Sequence, residues 1–448
     1  MHRIDSRLYL SATDLAGHLG CTHLTELNHL VAEGKLAPPR WRDPRLEVLA
    51  ERGRAHERAY LEHLRERGLE VLELEVSEIS PEAARQTKDA MRRGVDVISQ
   101  AVLIDGGWRG RADVMLRRPR PSDLGEWSYE AVDAKLASET RAGTILQLCL
   151  YSEMIERIQR TLPEQMHVVS PEAYADPEYF RTRDFLAYHR RVKADLEASV
   201  AAPVGEAPRS YPEPVPHCDV CRWWKRCDER RRADDHLSLV AGVTRLQRRE
   251  LEPRGIDTLA KLGAVALPLA PRPLRGSAEA YERVRDQARL QLESRGRDVP
   301  VFEAIGPIEV GRGLARLPAP SPGDIFFDFE GDPFVAGGGR EYLFGWIELD
   351  EAGGPIYEFR WALDGASERR ELEAFVDRLA GRIERFPDLH VYHFGAYEPA
   401  AIKRLMGRHA TREDEIDRLL RSERFVDLHA VVRQAFRIGV ERYSLKDL

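Results

Sequence analysis

The sequence predicts an α/β protein of several domains, and three observations lead to this class. The chain has 448 residues, which is enough for two or three domains of ordinary size. Apolar residues at helical spacing alternate with short apolar, strand-like segments in both halves of the chain. Stretches rich in proline, glycine or charge separate these segments. We predict domains at 1–232 and 321–448, joined by a small helical segment at 233–275 and a linker at 276–320.

The first domain is predicted from four segments in order. "HERAYLEHLRERG" (56–68) has the apolar spacing of a helix. "WRGRADVMLRR" (108–118) and "WSYEAVDAKLA" (127–137) have the composition of strands. "TRAGTILQLCLYSEMIERIQ" (140–159) returns to helical spacing. A helix, two paired strands and a second helix make one compact α/β unit.

The second half is predicted in the same way. "GVTRLQRRELEPRGIDTLAKLGAV" (242–265) indicates two short helices around the turn "RGIDT", with Asp257 or Thr258 as cap of the second. "DIFFDFEG", "YLFGWIEL" and "IYEFRWAL" indicate three strands of the last domain. The amphipathic segment 367–386 indicates a long helix after them.

Composition narrows the functional class. The net charge of -7 neither demands nor excludes a nucleic-acid partner, since an acidic protein can carry a local basic groove. Five cysteines favour a ligand set in a reducing compartment over a disulfide framework. No secretory signal and no membrane-length apolar run occurs, so we expect a cytoplasmic protein without a membrane partner. The phosphate-loop pattern of ATPases is absent.

Six residues of the first half form an ordered set that suits phosphodiester hydrolysis. Asp133 and Lys135 alternate onto one face of a strand, and Asp113 lies on the neighbouring predicted strand. Two such carboxylates bind Mg²⁺ or Mn²⁺, and the lysine stabilises developing charge. The complete set is His56, Asp113, Asp133, Lys135, Gln147 and Tyr151.

The order His, G-x-x-D, D-x-K and Q-x-x-x-Y resembles the RecB-type branch of the PD-(D/E)XK nucleases. The resemblance implies a restriction-endonuclease-like fold for residues 1–232. It also implies that His56, Asp113 and Asp133 are metal ligands and that Lys135 is catalytic, with Gln147 and Tyr151 beside the scissile strand. This sequence has Asp133 where many relatives have glutamate.

Four of the five cysteines come from the two ends of this domain. Cys21 lies near the start, and Cys218, Cys221 and Cys227 follow a C-x₂-C-x₅-C pattern. The arrangement resembles the iron–sulfur nucleases of the AddB and CRISPR-adaptation type, which implies a [4Fe–4S] cluster that closes the domain. Zinc is the alternative, because it also accepts four thiolates. Cys149, in an apolar segment, is expected to be a small buried residue.

Trp223 and Trp224 lie among these cysteines with three cations. Such a surface suits single-stranded nucleic acid, while the alternative is that the indole rings cover the cluster.

The last domain carries a second acidic set. Asp328 and Glu330 alternate along an apolar strand, and burial of two adjacent carboxylates is costly without a cation. The D-x-E pair resembles motif I of the DEDD exonucleases, and the chain as a whole resembles RecB-like nucleases fused to a YprB-type RNase H-like domain. The resemblance adds Glu398 and Asp427 as metal ligands, Asp427 being alternatively an organising residue. Because Leu448 lies inside "YSLKDL", ahead of the expected fourth acid, we expect this domain to be incomplete.

The segment 233–275 resembles a helix-hairpin-helix element, which would offer backbone amides to phosphate. The expected function is that of a metal-dependent nuclease acting on DNA, at single-stranded ends, in DNA repair or processing. One alternative is a nucleic-acid-binding adaptor for a partner helicase. Another is an RNA-processing exonuclease that uses the RNase H-like domain.

Overall fold

The computed structural model describes residues 1–4, 7–40, 44–74, 78–137, 139–171, 173–335, 337–350 and 352–448. The chain folds into two compact units, Met1–Asp228 and Glu229–Leu448. The division falls close to the predicted boundary at residue 232. Among the described residues, none of the helices combines the length and apolarity that a bilayer crossing requires.

The first unit is built around a six-stranded sheet. Its elements are β1 (His2–Ile4), β2 (Arg7–Tyr9), α1 (Ala12–Gly20), α2 (Thr22–Ala32), α3 (Pro44–Glu66), β3 (Val71–Glu73), α4 (Pro81–Arg93), β4 (Val97–Asp105), β5 (Trp108–Arg118), β6 (Ser128–Ala134), α5 (Ala142–Gln159), β7 (Gln165–Val169), β8 (Glu178–Arg181) and α6 (Thr182–Ala201). Helix α7 (Trp224–Ala233) follows the cysteine segment.

The sheet has the order β3-β4-β5-β6-β7-β8. Strands β4, β5 and β6 are antiparallel, and β7 lies parallel to β6. One face packs against α1 and α5, and the other packs against α3. The predicted elements α3, β5, β6 and α5 are confirmed, and Cys149 is buried as expected. Strand β4 was not predicted, because its apolar run is nearly continuous and shows no alternation.

The second unit contains a five-stranded sheet, and a small helical region precedes this sheet in the chain. Its elements are α8 (Arg245–Leu251), α9 (Leu259–Ala264), α10 (Ala278–Ser294), β9 (Phe302–Ala304), β10 (Ile325–Asp332), β11 (Arg340–Leu349), β12 (Pro355–Trp361), α11 (Gly365–Arg385), β13 (Val391–His393), α12 (Tyr397–His409), α13 (Glu413–Arg421), β14 (Phe425–Asp427), α14 (Leu428–Ala435) and β15 (Phe436–Ile438).

This sheet has the order β12-β11-β10-β13-β14. Strand β11 is antiparallel to β10 and to β12, and β13 and β14 run parallel to β10. Helices α11, α12 and α13 contribute to one continuous core beneath it. At its centre the ring of Phe375 stacks on Phe327 with 4.1 Å between ring centroids. The three predicted strands and the long helix α11 are confirmed.

The helical region corrects one expectation. Residues 276–320 were predicted to be a linker, but they contain α10, which packs against α9, and β9, which pairs with β15. The buried residues Tyr281, Val284 and Ala288 recur at helical spacing, a signal that the surrounding charged residues conceal. The two short helices around "RGIDT" are present, and the cap of the second is Thr258, whose hydroxyl accepts from the backbone N–H of Lys261.

We expect Phe375→Ala to lower the free energy of unfolding of the second unit by about 3–5 kcal/mol, because the truncation leaves a cavity under β10. Urea unfolding followed by circular dichroism measures the change. Leu274→Ala is the control, since that side chain is 90% exposed and its loss should change stability by less than about 0.5 kcal/mol. Equal effects of the two substitutions would contradict the packing described.

Candidate functional site

Two carboxylates meet where β5 and β6 separate. At this end the strand pairing stops at Val114 and Val132. Asp113 and Asp133 each lie one residue beyond that terminal pair. The backbone N–H of Ala134 donates to Asp113 Oδ2 over 3.3 Å. Asp133 is only 1% exposed, and burial together with the Asp113 carboxylate raises its pKa to about 8. The predicted proximity of these two acids is present in the structure.

Lys135 and Gln147 converge on the same carboxylate. The Lys135 ammonium lies 2.8 Å from Asp133 Oδ2, and Gln147 Nε2 donates to Asp133 Oδ1 over 2.8 Å. Oδ2 nonetheless lacks a hydrogen bond of good geometry with any described residue. Burial lowers the pKa of Lys135, but Asp133 and Asp113 outweigh burial and the net shift is upward. A buried oxygen without a hydrogen bond, beside a second carboxylate, fits a hard divalent cation.

His56 does not occupy the position of a metal ligand. Its Nε2 lies 2.9 Å from the carbonyl oxygen of Val169, and its Nδ1 lies 2.9 Å from the hydroxyl of Tyr174. The imidazole is buried, which lowers its pKa and keeps it neutral. A ligand nitrogen needs a free lone pair, and both ring nitrogens are engaged here. In this structure His56 instead ties α3 to β7, which corrects its predicted role.

Glu57 is the functional candidate that the sequence analysis missed. Burial raises the pKa of Glu57, the Asp113 carboxylate adds to the rise and Lys135 opposes it, so Glu57 lies within electrostatic reach of both groups. Gln100 Nε2 donates to Glu57 Oε2 over 3.3 Å. The signal available was the position of Glu57 directly after His56 in a helix that packs on the sheet.

Gln100 itself has an unusual backbone for a strand residue. Its φ is +56°, and it lies between the paired residues Ser99 and Ala101, whose partners on β5 flank Asp113. A non-glycine residue in the left-handed region is strained, and such strain concentrates at functional sites.

Tyr151 positions β5 and does not face solvent. Its hydroxyl donates to the carbonyl of Arg111 over 3.0 Å, and its side chain is buried. A Cβ at Gly110 would lie 2.5 Å from the Tyr151 ring, so the glycine is required for this close approach. Tyr151 therefore fixes the strand just ahead of Asp113, and the structure does not bring it to a substrate surface.

The four clustered cysteines line one small apolar cavity. Its walls include Cys21, Cys218, Cys221, Cys227, Leu24, Leu27 and Trp223. Backbone N–H groups of Val215 and Trp223 point at Cys218 Sγ and Cys221 Sγ over 3.5 and 3.4 Å. Burial raises the thiol pKa of Cys21 and of Cys221. Four sulfur atoms with amide donors around them fit a metal or a cluster bound as thiolates.

The two tryptophans of this segment differ. Trp223 is buried in the cluster of apolar side chains that packs around the cysteines, and its indole N–H donates to Asn28 Oδ1 over 3.2 Å. Trp224 is partly exposed. Both rings line the cavity, Trp223 from the buried side and Trp224 with part of its surface exposed.

A second set of carboxylates lies on the sheet of the second unit. Along β10, Asp328 and Glu330 share one face and alternate with buried Phe327 and Phe329, as predicted, but both acids are exposed and not buried as the sequence argument assumed. Glu398, in the first turn of α12, is buried beside them. Burial and the Glu398 carboxyl, followed by Glu330, raise the pKa of Asp328 to about 6. Three carboxyl groups at one place suit a divalent cation.

The neighbours of Glu398 are also consistent with a divalent-cation site. His393 Nδ1 lies 3.4 Å from Glu398 Oε2, and both atoms are buried without a hydrogen bond to a described residue. Asp427 Oδ1 accepts from the backbone N–H groups of Gly395 and Ala430 over 3.0 and 3.2 Å. Asp427 thus caps α14 and holds the loop before α12, which favours its organising role.

Comparison with known families gives a match within the second unit. Residues 325–448 match the family model of the RNase H superfamily, and the match begins at the first residue of β10. No curated protein matches the chain. Residues 325–448 therefore form an RNase H-like domain. Such a domain indicates a nuclease-type hydrolase with a nucleic-acid substrate, and these nucleases usually use Mg²⁺ or Mn²⁺.

The pKa of Asp133 leads to a pH dependence of stability in the absence of divalent cations. Its value in the folded state, about 8, exceeds the ordinary 3.8, so the folded state binds the proton more tightly. The stabilisation is present below pH 4 and is lost as the pH rises through 8. Asp133→Asn should therefore melt progressively higher than the unmodified chain between pH 5 and 8, as thermal unfolding measures. Asp176→Asn, at an exposed aspartate, is the control; a variant of Asp133 that tracks it would contradict the burial argument.

Proposed function

We propose that this protein is a metal-dependent nuclease that hydrolyses phosphodiester bonds of DNA at single-stranded ends, in DNA repair or processing. The convergence of Asp113, Asp133, Lys135 and Gln147 at the separation of two strands carries the proposal. The proposed class of the first unit is the RecB-like PD-(D/E)XK type. The proposed class of the RNase H-like domain is the YprB type.

In the first unit, Asp113 and Asp133 would hold the metal, with Glu57 as a third carboxylate. These carboxylates would thereby place Mg²⁺ or Mn²⁺ where the ion would supply Lewis-acid polarisation of the phosphate and activation of water. Gln147 holds one oxygen of Asp133 and thereby orients the other toward the site. The Lys135 ammonium, beside that second oxygen, is placed to stabilise charge that develops on the phosphate.

The RNase H-like domain offers a second centre with its own ligands. Asp328, Glu330 and Glu398 would hold the metal, while Asp427 organises the loop. The buried His393 lies beside the buried Glu398 and is placed to orient that carboxylate. RNA processing at this centre is the second candidate function, because the family match falls on this domain alone.

The cysteine cavity is proposed to hold a [4Fe–4S] cluster, with zinc as the alternative. It joins Cys21, ahead of α2, to a segment that lies almost two hundred residues later in the chain. The proposed role is structural, since the cavity is lined by apolar side chains and the buried Trp223 packs against the cysteines.

Replacement of Lys135 by alanine should lower metal-dependent cleavage of a labelled single DNA strand by about 10²–10³-fold, because it removes one preorganised charge from the site. Asp328→Asn in the same assay, with DNA and with RNA, reports on the second centre. Lys88→Ala is the matched control, at another lysine of the first unit.

The pattern of losses assigns the activity. Loss with Lys135→Ala and retention with Asp328→Asn places DNA cleavage in the first unit. RNA cleavage that survives Lys135→Ala but not Asp328→Asn favours the second candidate. Binding without cleavage by the unmodified chain, with Mg²⁺ and with Mn²⁺, would sink the proposal of a nuclease.

For the cysteine site, we expect anaerobically purified protein to show the broad visible absorption of an iron–sulfur chromophore, with iron and acid-labile sulfide. Cys21→Ser should remove the colour and lower the melting temperature of the first unit, since it takes one ligand from the cavity. Cys149→Ala, outside the cavity, should keep the colour. A colourless protein that contains zinc would contradict the cluster and favour zinc as the bound metal.

A further inference from the structure

Three large aromatic side chains stand exposed in a row on the edge strand β12. Tyr357, Phe359 and Trp361 are 59%, 47% and 54% exposed and alternate with Glu358 and Arg360. Residues two apart on a strand share a face and lie ~6.8 Å from each other. The rings of Tyr357 and Phe359 stack with centroids 5.8 Å apart. We call these three residues the β12 aromatic row.

The opposite face of β12 is already used by the fold. Glu358 accepts from Arg378 on α11 over 3.2 Å, and Arg360 lies over the ring of Trp346 in the core layer. Helix α11 therefore covers the face that carries the charged residues. The face that carries the aromatic residues is the one left to solvent, which reverses the usual distribution of polar and apolar side chains.

The register places this row on the same face as the acidic centre. Phe359 pairs with Gly345 on β11, and Gly345 pairs with Asp328 on β10. Trp361 is related to Glu330 through Leu343 in the same way. Directly opposed residues share a face, and two strand spacings separate Phe359 from Asp328 by ~10 Å.

Gly345 leaves room for the Tyr357 ring between the row and the acids. A Cβ at this position would lie 3.1 Å from the hydroxyl oxygen of Tyr357, so the tyrosine ring reaches over the glycine. The aromatic surface therefore extends from the sheet edge to the β11 residue that adjoins Asp328. Exposed Phe326, two residues before Asp328 on β10, continues the apolar surface on the other side.

We propose that the β12 aromatic row stacks the unpaired bases of a single-stranded nucleic acid whose backbone reaches Asp328, Glu330 and Glu398. The inference rests on the proposed nuclease function of the second centre. Stacking uses the face of a base, and an unpaired strand offers this face whereas a duplex does not. Uncharged rings contact the bases and not the phosphates. They can therefore hold a strand near carboxylates that repel phosphate in the absence of a cation.

The position of the row beside the proposed catalytic centre favours this occupant over others. A nucleic acid gains from a cation at the carboxylates, because the cation removes their repulsion of phosphate. A second copy or a peptide that paired with the edge strand would use its backbone groups and leave the ring faces free. The row is therefore best matched by bases.

The test uses the complete chain with Ca²⁺ in place of Mg²⁺ and a short oligothymidylate that contains photoreactive 5-iodouracil. Cross-links should map by mass spectrometry to residues 355–361 and should disappear from this segment in the triple variant Tyr357→Ser, Phe359→Ser, Trp361→Ser. In the Lys135→Ala background, Phe359→Ser should raise KM for single strands about tenfold with kcat little changed. Tyr188→Ser, at a tyrosine of α6 that is 51% exposed, is the matched control.

Two results would overturn the inference. One is cross-linking confined to other segments, with Phe359→Ser equal to Tyr188→Ser in KM. The other is unchanged cross-linking together with a change of oligomeric state in the triple variant, measured by sedimentation velocity, which would assign the row to a protein contact. Cross-links at 355–361 combined with full cleavage by the Asp328→Asn, Lys135→Ala double variant would retain the binding surface while refuting the catalytic role of the second centre.

Discussion

The burial of like charges is the constraint on which both candidate centres depend. Asp133 is almost without solvent contact beside Asp113, and Glu398 is buried beside Asp328. Each arrangement costs free energy until a proton or a cation compensates it. The fold supplies part of that compensation at the first centre, through Lys135. A divalent cation would supply the rest.

Rigid packing keeps these carboxylates in place. In the first unit, Tyr151 and His56 lie on helices that cover opposite faces of the sheet, and each bonds a backbone carbonyl of a central strand. In the second unit, the aromatic core around Phe327 and Phe375 fixes the strand whose other face carries Asp328. The groups expected to touch substrate are thus few, and the groups that position them are more numerous.

The cysteine cavity brings together segments near the two ends of the first unit. Two segments far apart in sequence converge on a pocket lined by sulfur and apolar side chains. A ligand that bridges them would restrict the unfolded chain as well as stabilise the folded one. The buried Trp223 packs against the cysteines, which suits a structural role.

Alternation and helical spacing determined much of this protein from sequence alone. They located α3, β5, β6, α5, the three strands of the second sheet and α11, because each of these segments has the local composition or spacing of the element that it forms. They also placed Asp328 and Glu330 on one face and brought Asp133 and Lys135 together. Only the tertiary structure decided that both nitrogens of His56 are engaged, that Gln100 bonds Glu57 and that α10 is part of a core. It also revealed the exposed β12 aromatic row, because exposure depends on what packs across a sheet, and no local pattern records which face a helix will cover.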